Sequence, residues 1–330
     1  PSIPSLDLVA GFRLDSGYSP VQVPRKDRRR TIQADDVGRI FAFDNRPEVS
    51  TYLIRGEVED EQSLERLTDS VAKDPDAVFV FADPRISSLA TCQQSPVGNY
   101  QNVADRLLVT RLHIRGMDGT DVLVAVVDTG VNISHLQSMG QNPNFDSANS
   151  WAPVSNVVLG DMPVDHGTMC AFDACITAAN CTLLDYALLQ SQATGGSAMD
   201  GFLSDAVQGF SNLLTLMTGP NPPKALVVNN SWGMFHSSWD FPVGHSGNYS
   251  DNPDHPFNII VESLEDAGAD ILFAAGNCGA ECPDPRCEDE SDQGIYGANS
   301  HPSVLSVAGV TVDRERLGYS TQGPGRLDQN

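Results

Sequence analysis

The chain has 330 residues, and its 43 acidic against 20 basic side chains leave a net charge of −23. That length accommodates roughly two domains and a sizeable core, while the acidic excess argues against nucleic acid as a partner, because phosphate binding needs the opposite field. No apolar run approaches the roughly 18 residues of a membrane span, and no charged-then-apolar leader opens the sequence, which starts at Pro1 as if a leader had been removed.

In chain order, residues 1–49 read as irregular, with a basic cluster at 25–30 that suits a solvated loop, a processing site or an anion patch. Residues 50–86 carry a small β-α-β signal: a strand over 50–56, a helix over 61–72 with Leu64, Leu67 and Val71 on one face, and a strand over 77–82 stopped by Asp83-Pro84. Residues 87–105, rich in Ser, Gln and Gly, read as a linker with room for a processing site. From 106 to 330 the pattern alternates buried strands with helices. Strands are predicted at 122–127, 183–189, 225–229, 271–275 and 303–308, and helices at 204–216 and 257–267. Such alternation predicts an α/β fold, a parallel sheet flanked by helices, preceded by a small α+β unit.

Seven cysteines, Cys92, Cys170, Cys175, Cys181, Cys278, Cys282 and Cys287, leave at least one thiol unpaired within the chain. The close group at 278–287 suits a small disulfide loop better than a zinc site, which lacks a fourth ligand nearby. The acidic loop with Asp284, Glu288 and Asp289 offers carboxylates for a structural Ca²⁺, though its spacing matches no defined calcium loop and a solvated acidic turn fits as well.

Three segments carry chemistry. Val124-Ala-Val-Val-Asp-Thr-Gly130 places Asp128 at the end of an apolar strand, His166-Gly-Thr-Met-Cys-Ala171 opens a helix with a histidine, and Ala274-Ala-Gly-Asn277 ends a strand with an amide. Functional groups of open α/β sheets gather at such strand ends. Taken singly, each residue has an ordinary reading: a helix cap, a surface histidine, a turn asparagine. Cys170, one helical turn beyond His166, is expected to pack in the core. Gly195-Gly-Ser-Ala-Met199 faintly imitates a nucleophile motif but falls before the strand at 225–229, out of order.

Together and in order, these motifs resemble the subtilisin-like serine proteases (subtilases). Asn229-Asn-Ser-Trp-Gly233, the segment 297–309, and Tyr319-Ser-Thr-Gln-Gly-Pro324 resemble further stretches of that family, and 50–86 is similar to its inhibitory propeptide. The resemblance implies an endopeptidase in which Asp128 supports His166 as general base and Asn277 binds the oxyanion. It further implies that Ser231, Trp232, Gly233, Ala274, Ala275 and Gly276 line the substrate cleft, with bulky Trp232 able to narrow a subsite. The chemistry requires no cofactor. The expected partners are a peptide or protein substrate and a C-terminal piece carrying the catalytic serine, which is expected beyond residue 330 or on a separate chain, so that the 330 residues alone are inactive. The resemblance favours a secreted or extracytoplasmic location. The alternative is a non-catalytic, peptide-binding or regulatory module, against which the intact Asp128, His166 and Asn277 count.

Overall fold

In a computed structural model, residues 9–24, 50–74, 77–88, 98–190, 200–287 and 294–325 are described. The strands are β1 (Phe12–Leu14), β2 (Val21–Val23), β3 (Thr51–Leu53), β4 (Gly56–Val58), β5 (Arg85–Ser88), β6 (Leu123–Val127), β7 (Asn144–Phe145), β8 (Thr182–Tyr186), β9 (Asp200–Phe202), β10 (Leu226–Asn230), β11 (Trp232–Gly233), β12 (Ala269–Ala274) and β13 (Leu305–Val307). The helices are α1 (Glu61–Val71), α2 (Tyr100–Arg106), α3 (Val109–Ile114), α4 (Ile133–Ser138), α5 (His166–Thr177), α6 (Leu203–Thr218) and α7 (Pro256–Asp266).

The centre is a six-stranded sheet in the order β13-β12-β10-β6-β8-β7, parallel throughout. Its inner strands bury both faces, which is why they read as nearly unbroken apolar runs. On one face α6 and α7 pack: Leu203, Ala206, Val207, Phe210, Leu213 and Met217 form one helical stripe against Leu226, Val228, Ile271 and Phe273. On the other face α4 and α5 supply Leu136, Ala171 and Cys175 against Val124, Val126 and Leu183. That second layer covers only part of the sheet. Leu272 and Ala274 on β12 are incompletely covered, and their register partners Leu305 and Val307 on β13 are 62% and 50% exposed.

The N-terminal region departs from the sequence reading in three places. Residues 1–49 contain strands: β1 pairs antiparallel with β4, and β2 with β3, so the expected strand over 50–56 is split between two partners. Helix α1 forms as predicted, capped by the Asp60 carboxylate, which accepts from Ser63 N at 2.7 Å. Residues 77–82 form no ladder. Instead Ala82 N donates to Gly247 O, Phe81 packs edge-on against His255, and the ordered strand is β5, a few residues later. The predicted linker is also partly helical, because Asn99 and Asn102 form a reciprocal capping box that starts α2. Residues 25–30 and 195–199 lie outside the described residues.

This region is tied to the body. Arg55 bonds Asp15 at 2.8 Å and Asp205 of α6 at 2.9 Å, and its guanidinium stacks 4.6 Å from the Tyr18 ring centre. Tyr18, Val21 and Ile86 belong to the same buried cluster as α6.

Candidate active site

Strands β6, β10 and β12 are in register, so Val127, Asn230 and Phe273 lie side by side. The residues that follow them, Asp128, Ser231 and Ala274 to Asn277, therefore emerge at one edge of the sheet, the C-terminal edge at which open α/β sheets build their sites. Asp128 is fully buried and its Oδ1 accepts from Thr129 N at 2.7 Å. Gly130, at φ +104°, turns the chain away from the strand in a conformation that disfavours a side chain.

Helix α5 begins at His166 because Asp165 caps it, accepting from His166 N at 2.8 Å. Its first turn is fastened to the Asp128 loop: Gly167 N donates to Thr129 Oγ1 at 2.9 Å, and Asn132 N to Thr168 Oγ1 at 3.0 Å. This fastening aims the imidazole. His166 Nδ1 lies 2.9 Å from Asp128 Oδ1 and 3.0 Å from Oδ2. With the carboxylate ionised, Nδ1 carries the hydrogen and Nε2 is the basic nitrogen. Burial disfavours a charged ring here, but the Asp128 bond outweighs it, with Cys170 adding to the effect, and the His166 pKa is raised.

Cys170 is not simply core. Its position four residues along α5 puts Sγ 3.7 Å from both His166 Nδ1 and Asp128 Oδ2, half-buried beneath the pair. The spacing was visible in the sequence; the proximity of the carboxylate was not. Burial raises the thiol's pKa, keeping it protonated. Asp128, His166 and Cys170 thus offer donor atoms within 4.8 Å of one another.

Behind the Asp128 loop sits an acid that the sequence reading missed. Asp185, at 0% exposure on β8, accepts from Val131 N at 3.2 Å and Gly160 N at 2.8 Å. Burial raises its pKa to about 6, against the pull of those two amides. It reads as one apolar-strand interruption in sequence, with nothing to announce its loop partners.

Asn277 follows β12 through Ala275, whose N donates to Val307 O, and Gly276 at φ +110°. Its carbonyl accepts from Asp284 N at 2.9 Å inside a loop closed by the Cys278–Cys287 disulfide. Cys282 is disulfide-bonded as well, while Cys170, Cys175 and Cys181 are free thiols. A small cavity of about 10 Å³, lined by Gly233, Phe235, Gly276, Asn277, Tyr296 and Thr321, opens beside it. The Asp284 carboxylate accepts from the Arg286 guanidinium, with Nη2 2.9 Å from Oδ2. Glu288 and Asp289 lie outside the described residues.

Ser231, Trp232 and Gly233 follow β10 at the same edge of the sheet, and the Trp232 side chain turns inward. It is fully buried on the inner side, edge-on to Phe273 at 5.1 Å and against Phe257. The backbone edge of β11 is already paired. Strand β5 runs antiparallel to it, Ser88 opposite Trp232 and Ser87 opposite Gly233, and β9 closes β5 from the other side. The Arg85 and Ser87 side chains both bond Asp200.

The Subtilase family model matches residues 119–329, more than half of the chain. No curated protein matches the sequence. Among solved structures, sphericase aligns at 19% identity over 62% of this chain and 59% of its own, with a TM-score of 0.40. The S41 psychrophilic protease aligns at 18% over 63% and 60%, with a TM-score of 0.40, and MycP1 from the ESX-1 type VII secretion system at 17% over 75% and 68%, with a TM-score of 0.41. The chain thus spans about three fifths of the length of the first two. The Asp128, His166 and Asn277 motifs all fall within the matched residues, and the chain belongs to the subtilase family.

Proposed function

We propose that the chain carries the acid, base and oxyanion donor of a subtilisin-like serine endopeptidase, with its cleft occupied by the chain's own N-terminal region. The observation that carries this is the Asp128–His166 pair, both carboxylate oxygens within 3.0 Å of one imidazole nitrogen. Asp128 fixes the tautomer and balances the imidazolium. His166 Nε2 takes the proton of a serine hydroxyl as that oxygen attacks the scissile carbonyl, then returns it to the leaving amine. The Asn277 side-chain amide donates to the oxyanion of the tetrahedral intermediate, a contribution of about 3 kcal/mol in comparable sites.

The serine is the remaining part. The half-open sheet face of Leu272, Ala274, Leu305 and Val307 adjoins the site. That open face supports a serine carried by a further segment, beyond residue 330 or on a separate chain, that packs there. Residues 50–86 act as the propeptide in this reading. Its support is β5, which begins at the end of that unit and sits on the β11 edge where a peptide substrate would add as a strand.

A serine-directed fluorophosphonate tests the reading. The 330-residue chain alone is expected to remain unlabelled and to hydrolyse no peptide. Intact-mass analysis of native material is expected to reveal a labelled serine-bearing segment, with labelling lost in His166→Ala. Labelling of a serine among these 330 residues would overturn the assignment.

A further inference from the structure

We propose that Arg286 is a binding residue of the cleft, holding the backbone carbonyl of whatever extended peptide pairs with β11. The inference rests on the reading of β11 as the peptide-binding edge. Its geometric basis is a single guanidinium with three engagements. Arg286 Nη2 donates to Ser88 O at 2.8 Å, at the last described residue of β5. Nε and Nη2 also donate to the two oxygens of Asp284, each at 2.9 Å. The guanidinium carbon stands 3.9 Å above the Phe235 ring.

Each engagement restricts the arginine in a different direction. The Asp284 carboxylate, 3% exposed, fixes the plane of the fork, and the Phe235 face, fully buried, fixes its height. The loop that presents it is closed by Cys278–Cys287, and Cys278 directly follows Asn277. Its backbone is fixed at the same end, where Cys278 N donates to Thr321 Oγ1 at 2.9 Å and Asp284 N to Asn277 O. Arg286 is therefore held at a set offset from the oxyanion donor. An arginine required only to neutralise Asp284 would not need to reach a carbonyl 198 residues away in sequence. What it meets there is main chain, so the contact recognises an extended peptide irrespective of its side chains, and a positively charged donor makes the stronger class of hydrogen bond.

The ligand class is thus an extended peptide backbone, with β5 as the occupant in hand. The start of β5 is held through Arg85 to Asp200, which also accepts from Ser87, while Arg286 secures its last residue, Ser88. Replacing it should free that end first.

Amide hydrogen exchange by mass spectrometry on the full chain decides this, comparing wild type with Arg286→Gln and Arg286→Lys. Arg286→Gln is expected to speed exchange in fragments containing 85–88 about tenfold, the scale of losing a hydrogen bond to a charged donor. Arg286→Lys keeps the charge but cannot serve Asp284 and Ser88 with one planar fork, so an intermediate, few-fold increase is expected. It carries the test should the glutamine variant fail to fold. Faster exchange confined to 278–287, with 85–88 as protected as in wild type, would reduce Arg286 to a loop residue and overturn the proposal alone. Fragments 85–88 exchanging at the rate of free chain in the wild type would overturn both the proposal and the seating of β5.

Discussion

At the scale of single residues the site is decided by how one charge offsets another's burial. His166 sits where desolvation opposes an imidazolium, and its pKa is nevertheless raised, because the Asp128 carboxylate accepts from Nδ1 at hydrogen-bond distance and Cys170 lies alongside. A histidine whose folded pKa is raised contributes its full stabilisation below the unfolded value of about 6.5 and loses it as pH rises through the folded value. Asp128→Asn removes the compensation and leaves the burial. The His166 pKa is then expected below 6.5, measured by NMR titration of the imidazole resonances. A value unchanged from wild type would show that the carboxylate does not govern the ring. The three motif residues were legible in the sequence because each sits at the end of an apolar strand or at a helix start. Cys170 was legible as a position on α5 but not as a neighbour of Asp128, since helical spacing relates it to His166 only.

Elements bring those residues together through backbone contacts that sequence patterns do not encode. The parallel sheet, its order of strands and helices, and the start of α5 follow from apolar runs and capping chemistry. Strand β5 does not: Arg-Ile-Ser-Ser has no alternation to mark it, and it becomes a strand only because β11 and β9 offer edges on both sides. Residues 77–82 show the converse, a good strand pattern without an edge to join. The α5 junction with the Asp128 loop gives a test at this scale. A Cβ on Gly167 would stand 2.5 Å from Gly130 O and 3.0 Å from Gly130 N, both backbone atoms of the turn that positions Asp128. Ala in a helix is ordinarily favoured over Gly by up to about 1 kcal/mol, whereas overpacking costs about 1–3 kcal/mol. The clash should win, because neither atom can swing aside. Gly167→Ala is expected to lower stability by about 1–2 kcal/mol in denaturant unfolding, and to lengthen the His166–Asp128 contact. A variant as stable as wild type would show that the helix start can retreat without cost.

For the whole molecule, desolvated groups set opposing responses to acid: desolvation raises the pKa of both Asp185 and Asp83 to about 6 and lowers that of His255. Asp185 is fully buried on β8, and burial raises its pKa to about 6. The folded state therefore binds its proton more tightly than the unfolded chain. Its stabilisation is complete below about pH 4 and is lost as pH rises through 6. His255, 3% exposed at the start of α7, has its pKa lowered to about 4 by burial, although the bond to Ala82 O pulls the other way. Its Nδ1 accepts from Phe257 N, which requires the neutral ring. The folded state resists protonation there, so stability falls as pH drops from about 6.5 to 4. Over the shared window the two slopes oppose each other, each spanning about 3 kcal/mol at most at 1.36 kcal/mol per pH unit. Single variants separate them. Asp185→Asn removes one of the opposing acids, and its melting temperature should fall more than wild type's as pH drops from 6.5 to 4. His255→Asn, which preserves a side-chain cap for α7, leaves both aspartates alone, and acid should cost it less or stabilise it. Titration of the exposed carboxylates and relief of the acidic self-repulsion are common to both variants, so the difference between their pH–melting curves isolates the pair. Parallel curves would show that neither group titrates in its buried position, and that the core separating β8 from α7 tolerates acid for reasons unconnected with either one.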